Sequence, residues 1–311
     1  MTENYLSVVS GTYNEVDNIE SFIDRVEAAF LLIPQYRYEI LIIDNCSTDG
    51  TQDILRKLAK SKAHLKVILN TRNFGHIRSP YYGLLQTTGE ATIAMASDLQ
   101  DPPELIVKFV EHWRNGAKAV VGVKEKSKES ALFFFIRKLY YKLLGKISDA
   151  PLIENFTGFG LYDRSIIDYC RTLQDPYPYF RGIISEVGWG VTRVLYEQEQ
   201  RKRGITKNNF WTLYDLAILG FTNHSRIPLR LAAMLGFLAS FGSLLVAIVY
   251  FIYKILFWEN FSVGMAPLVI GLFFFSSVQL FFIGILGEYI GAILVQIGKK
   301  PLVVEKERIN F

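Results

Sequence analysis

The chain has 311 residues, half of them apolar, a formal net charge of +4 and two cysteines. Its length exceeds that of a usual single domain, and a mean hydropathy of +0.20 is high for a wholly water-soluble protein. Two cysteines exclude a disulfide-dense scaffold, and so mild a charge fits a membrane surface and makes no case for nucleic acid.

Residues 5–12 read as a buried first strand that ends at Gly11 and Thr12, with Tyr13, Asn14 and Glu15 in the loop after it. Helical spacing of Ile19, Phe22, Ile23, Val26 and Phe30 follows over 18–32. Residues 38–44 form a continuous apolar strand ending at Asp44, as expected in a parallel sheet covered on both faces. A loop with Asn45, Cys46, Ser47 and Asp49 leads to a helix over 51–59. A third strand over 65–69 and a helix over 77–87 come next. The strand 91–95 then runs into Ala96-Ser97-Asp98-Leu99-Gln100-Asp101-Pro102-Pro103-Glu104. A helix over 104–114 and a strand over 119–123 complete a β-α-β-α alternation, which argues for an α/β domain with a mostly parallel sheet.

Ligands of such sheets bind beyond the carboxyl ends of the strands. Polar clusters stand there: 12–15, 44–49, 72–76 and 98–104. Each alone reads equally as a solvated loop or a helix cap, and Asp49 as no more than an N-cap. Their convergence at one sheet edge favours a site. Asp98 and Gln100, two apart at a strand end, point the same way in extended backbone. Hard oxygen donors of that kind suit Mg²⁺ or Mn²⁺ shared with a substrate phosphate. Pro102 fits the first turn of the next helix, with Glu104 at its positive end. The bland alternative for the stretch is a strand-to-helix turn with polar caps.

Beyond residue 130 the character changes. Residues 131–144 are aromatic and basic together, too short to span a bilayer, and read as an amphipathic helix at the membrane surface or a core helix with a basic face. A glycine-punctuated strand over 155–164 leads into a helix, and 193–198 reads as a strand. A cationic loop, 201–207, precedes a second aromatic amphipathic stretch at 208–221. Residues 231–253 and 261–287 contain no charged side chain, and each exceeds the roughly 20 residues needed to cross a hydrocarbon core. They read as two transmembrane helices. Arg226 and Arg230 before the first and Lys299 and Lys300 after the second place both chain ends on the cytoplasmic side. The N-terminus carries no signal-peptide pattern. Cys46 and Cys170 are then expected as reduced thiols, and the stretch 305–308 as a solvated tail. The expected division is a cytoplasmic catalytic domain over 1–206, a juxtamembrane helix over 207–230, a two-helix membrane domain over 231–298 and a cytoplasmic tail over 299–311.

No charge pathway crosses the apolar runs, which disfavours a transporter. The combination suits an enzyme that joins an activated water-soluble group to a lipid. Residues 8–15, 44–51 and 98–104 resemble, in order, the three signature segments of family 2 glycosyltransferases of GT-A fold. The two apolar runs and the Arg-x-x-Gly-x-Thr-Lys loop from Arg201 to Lys207 are similar to the polyprenyl-phosphate branch of that family, over nearly the whole chain. The resemblance implies a GT-A Rossmann-like sheet with interfacial amphipathic helices and two C-terminal spans in the inner (cytoplasmic) membrane. It implies inverting transfer of a hexose, from UDP by our reading, to undecaprenyl phosphate, giving a lipid-phosphate-sugar. It places the nucleotide's base and ribose against Thr12, Tyr13, Glu15 and Asp44, with Asp49 beside them as a substrate-binding candidate. It gives the divalent cation, Mg²⁺ or Mn²⁺, to Asp98 and Gln100, and phosphate to Arg201 and Lys207. Asp98, Asp101 and Arg201 are the catalytic candidates, and members often form homo-oligomers.

Three departures stand out. Gly11 replaces the family's proline, which loosens the loop. Asn45 replaces the second Asp of the usual pair, removing a carboxylate near the ribose. Gly158 falls where some members carry an Asp proposed as base, leaving Asp101 the nearest carboxylate to assist. Two other readings stay open: a non-catalytic membrane adaptor, which Gly158 and Asn45 favour, and a polysaccharide synthase, whose Gln-x-x-Arg-Trp motif is absent.

Overall fold

The computed structural model describes residues 4–125, 153, 155–186, 188–198, 265–298 and 300–311, with scattered residues between 234 and 257. The chain divides into two compact units, Met1–Leu213 with Gly298–Phe311, and Tyr214–Ile297.

The first unit is a sheet covered by helices. Its strands are β1 (Tyr5–Thr12), β2 (Arg37–Asp44), β3 (Leu65–Asn70), β4 (Ala91–Ala94), β5 (Ala119–Lys124), β6 (Phe156–Asp163), β7 (Val191–Tyr196) and β8 (Glu305–Ile309). The helices are α1 (Ile19–Leu31), α2 (Thr51–Ser61), α3 (Gly75–Gln86), α4 (Leu105–Arg114), α5 (Arg164–Leu173) and α6 (Phe180–Glu186). The spatial order is β7-β5-β6-β4-β1-β2-β3-β8. Strands β4, β1, β2 and β3 run parallel, as expected. β6 enters antiparallel between β4 and β5, and β8 pairs antiparallel with β3, so the sheet is mixed.

The central strands are apolar without alternation because both faces are covered. On β2, Ile40 and Ile42 enter one core with Phe22 and Ile23 of α1, Leu55 of α2 and Phe109 of α4. Leu41 and Ile43 enter the other with Tyr81 and Leu84 of α3, Ile166 of α5 and Ile183 of α6. Each fully buried side chain of this size contributes about 1.5–3 kcal/mol. At the amino end of the sheet, the wholly buried Glu39 takes hydrogen bonds from Ser7 and Thr88 and an ion pair from Lys66 at 2.6 Å.

The expected solvated tail is overturned. β8 covers the edge of β3, and three of its four charges, Glu305, Glu307 and Arg308, are paired. Arg56 of α2 holds Glu307 at 2.9 Å, Arg308 holds Glu305 at 2.7 Å, and Asn310 Nδ2 donates to the carbonyls of Ala59 and Leu65. An exposed edge strand is a liability, and charged side chains on a covering strand are a common remedy.

In the second unit, α7 (Met265–Ile297) takes in most of the second apolar run and continues past it. Its 33 residues reach about 50 Å. Phe274–Gly291 is long and apolar enough to cross a membrane, the one such segment among the described residues. Most of the first apolar run, 231–253, lies outside the described residues, and those described within it are helical and exposed. The amphipathic stretches at 131–144 and 208–221 and the loop 201–207 lie outside the described residues.

Candidate active site

Strand order reverses where β1 has β4 on one side and β2 on the other. That switch point is where an open α/β sheet leaves a crevice at the carboxyl ends of its strands. The loop after β1 and the turn after β4 meet there. Met95 N–H donates to the Val9 carbonyl at 3.1 Å, and Ser97 Oγ donates to the Gly11 carbonyl at 3.3 Å. The loop after β2 joins them through Asn45 N–H to the Thr12 carbonyl at 2.9 Å.

Asp98 and Gln100 sit in a turn, not in extended backbone as expected from the sequence. Leu99 between them has a φ of +59°, a conformation that costs a bulky residue energy. Its side chain packs against the core under α1 and α4, which offsets the strain. Asp98 Oδ1 accepts only the Gln100 N–H, at 3.2 Å, and Oδ2 has no hydrogen bond among the described residues. Pro102 and Pro103 precede α4 rather than forming its first turn. Glu104 is the N-cap and holds Arg25 of α1 at 2.8 Å.

Asp101 lies at the floor of the turn, 6% exposed. The Tyr196 hydroxyl, at the end of β7, donates to its Oδ1 at 2.5 Å. Burial holds the Asp101 carboxyl above the ordinary carboxylate range; Tyr196 and Lys124 oppose this, and Asp98 adds to it. The sequence offers no signal for Tyr196, because nothing local aligns β7 with the turn after β4.

Thr12 and Glu15 are buried beside the switch point, and Tyr13 is half-buried. The Thr12 hydroxyl is buried without a partner. Glu15 Oε2 accepts from Asn18 Nδ2 at 2.7 Å. The Asp44 carboxylate is fully buried and accepts from Ser47 N–H, the Ser47 hydroxyl and Gln52 Nε2. Asp49 bonds Thr51 through Oδ1 and Val16 N–H through Oδ2, tying the loops after β1 and β2 together. Burial would raise its carboxyl, but the bonds from Thr51 and Val16 outweigh it and hold it low. Asp44 and Asp49 thus shape the loops that carry Tyr13 and Asn14. Arg201 and Lys207 lie outside the described residues.

Gly11 does not loosen its loop. It lies within β1, and a Cβ there would come 2.7 Å from Pro80 Cγ of α3. Gly158 has a φ of +99° and open space where a Cβ would stand. Asn45 is no mere loss of a carboxylate. Its Nδ2 donates to Asn73 Oδ1 at 2.8 Å and the Gly75 carbonyl at 3.1 Å, and its Oδ1 accepts the Phe74 N–H at 2.8 Å. An aspartate supplies the acceptor and neither donor. Asn45→Asp is therefore expected to destabilise the protein by about 1–3 kcal/mol, read as a lower thermal midpoint in detergent, whereas Asn45→Ala should cost a similar amount without adding charge.

Comparison with known proteins agrees with this architecture. The glycosyl transferase family 2 model matches residues 7–171. The bactoprenol glucosyl transferase of Shigella phage SfX is 34% identical over 305 residues, covering 97% of this chain and 99% of that protein. An uncharacterized glycosyltransferase of Synechocystis is 32% identical over 298 residues, 96% of this chain and 93% of that one. A crystal structure of a mycobacterial protein shares the fold, with a TM-score of 0.50 at 19% identity over 71% of this chain and 73% of that one. With its Rossmann-like sheet of GT-A type and its polar turns gathered at the switch point, the chain belongs to glycosyl transferase family 2 and is a glycosyltransferase.

Proposed function

We propose that this chain transfers a hexose from a nucleotide-sugar to a polyprenyl phosphate at the inner membrane, with inversion at the sugar C1. The observation that carries the reading is the turn Asp98–Asp101 at the switch point, with one half-buried carboxylate whose Oδ2 takes no hydrogen bond among the described residues and another buried beneath it. Likeness to a bactoprenol glucosyl transferase along the whole chain supports the acceptor, and the apolar stretch of α7 supports membrane attachment. In this reading the catalytic sheet and both chain ends lie on the cytoplasmic side, which the basic residues Arg226, Arg230, Lys299 and Lys300 flanking the apolar runs support.

The donor set fits a divalent cation of one kind. Among the described residues no three His, Cys, Asp or Glu gather into a cage. Asp98 with Gln100 offers two hard oxygens, which suits Mg²⁺ or Mn²⁺ completed by substrate phosphates and water. Bound there, the ion supplies positive charge to the departing diphosphate. The chain's own residues do the rest. The crevice between the loops after β1 and β2 receives the nucleotide, with Thr12, Tyr13 and Glu15 along it and Asp44 and Asp49 holding its shape. The acceptor phosphate is largely dianionic at pH 7, since its second pKa is near 6. It attacks C1 without needing a base, which agrees with a glycine at 158. The C1–O bond to acceptor phosphate forms as the C1–O bond to diphosphate breaks, and the electron pair leaves with the nucleoside diphosphate. Asp101 assists as a fixed negative charge beneath the turn, and Arg201 and Lys207 bring positive charge to the phosphates.

The test uses the full chain in nanodiscs with undecaprenyl phosphate and radiolabelled UDP- and GDP-sugars. Label is expected to enter the organic phase from one donor, to stop with EDTA and to resume with Mg²⁺ or Mn²⁺. Retention of label in water with every donor, despite nucleotide binding, would sink the reading.

A further inference from the structure

Five arginines of the sheet unit are answered by a carboxylate: Arg25, Arg56, Arg164, Arg171 and Arg308 each hold one. Four cation-bearing side chains around α3 and α6 are not. Arg72 and Arg78 both lie over the Phe74 ring, their guanidinium carbons 4.1 and 5.7 Å from its centroid. His76 stands in the first turn of α3, within electrostatic reach of Arg181 on α6. No carboxylate among the described residues pairs with any of the four.

The cluster bears the marks of uncompensated charge. Arg78 donates to the Pro301 carbonyl, while its Nε is buried with no partner. Lost hydration, then repulsion from Arg72, lowers its proton affinity. Lost hydration, then Arg181, does the same to His76. Like charges held together in this way are relieved by a bound anion, and guanidinium groups match phosphate oxygens in geometry and charge.

The place is right for a second phosphate. Arg181 donates to the Phe156 carbonyl at the start of β6, the strand that carries Gly158 and its open space. Tyr162 on the same strand is wholly buried and feels both Arg181 and Asp101. Arg181 thus shares with Asp101 an electrostatic influence on one side chain of β6, and with His76 a reach across to α3. Pro301, which Arg78 holds, is four residues beyond the end of α7 in the chain.

We infer that Arg72, His76, Arg78 and Arg181 seat the phosphate monoester of the acceptor, apart from the Asp98–Gln100 position that serves the donor diphosphate. The inference rests on the lipid-phosphate acceptor proposed above. The test uses the full chain in phosphatidylcholine nanodiscs, with farnesyl phosphate, inorganic phosphate and UDP added separately. The chain has four histidines, and the His76 ring resonance is identified by its loss in His76→Gln. Farnesyl phosphate is expected to shift that resonance with no donor present. Arg72→Gln and Arg181→Gln are each expected to weaken farnesyl phosphate about tenfold. They should raise the acceptor KM to match and leave the donor KM within about twofold. A shift caused by UDP, or a rise in donor KM, would overturn the inference by giving the cluster to the donor. An equal response to inorganic phosphate would assign it to free phosphate and overturn it likewise. Transfer to lipid with an unchanged acceptor KM in both variants would remove the site and leave the acceptor reading intact. Farnesyl phosphate binding at His76 without any lipid transfer would retain the phosphate site and remove the acceptor reading.

Discussion

Replacing Asp98 with alanine is expected to lower kcat/KM on the order of 10³-fold, about 4 kcal/mol of transition-state stabilisation. The carboxylate is half-buried in the turn after β4, and among the described residues a single 3.2 Å bond to the Gln100 N–H is all it holds. Its removal thus takes little from the fold, and the thermal midpoint should move by no more than the equivalent of about 1 kcal/mol. Mn²⁺ binding in the presence of nucleoside diphosphate, followed by calorimetry, should weaken at least about tenfold. Normal turnover with weakened Mn²⁺ binding would detach the cation from the reaction. Normal binding with lost turnover would give Asp98 a role other than holding it.

Asp101→Asn is expected to separate stability from activity. Turnover should fall on the order of 10²-fold, while the thermal midpoint stays level or rises. The physical reason is the cost of a charge at 6% exposure, with Asp98 near enough to add to it. Asparagine removes the charge and keeps an oxygen for the Tyr196 hydroxyl. Tyr196→Phe should act oppositely on the fold, because it strands the carboxylate without its 2.5 Å donor. A loss of about 1–3 kcal/mol is expected there, with a smaller fall in turnover. Full activity in Asp101→Asn would make the carboxylate a structural group. A sharp drop in its thermal midpoint would show that the charge is needed to hold the turn.

Much of the site was legible because strand ends in an α/β sheet gather their loops. The polar clusters after β1, β2, β3 and β4 could be placed on one edge from periodicity alone. Individual roles were less legible. Asn45 reads as a lost acid, yet its amide ties the loop after β3 through donors that an aspartate lacks. Gly11 reads as a looser loop, yet it makes room for Pro80. Both misreadings have one cause: each residue acts on a segment remote in sequence.

The last strand shows the same limit from the other side. Glu305-Lys306-Glu307-Arg308 has the composition of a solvated tail, and charge alone cannot announce an edge strand. Arg56, offered by α2, is what turns Glu307 into a partner. By itself the sequence determined the α/β class, the family and the acidic turn, because these follow from local periodicity and contiguous motifs. The tertiary structure alone decided the antiparallel entry of β6, the pairing of β8 with β3, the Tyr196 bond to Asp101 and the gathering of Arg72, His76, Arg78 and Arg181. Each of these joins residues far apart in the chain, and only the packed sheet brings them within reach of a hydrogen bond or a charge.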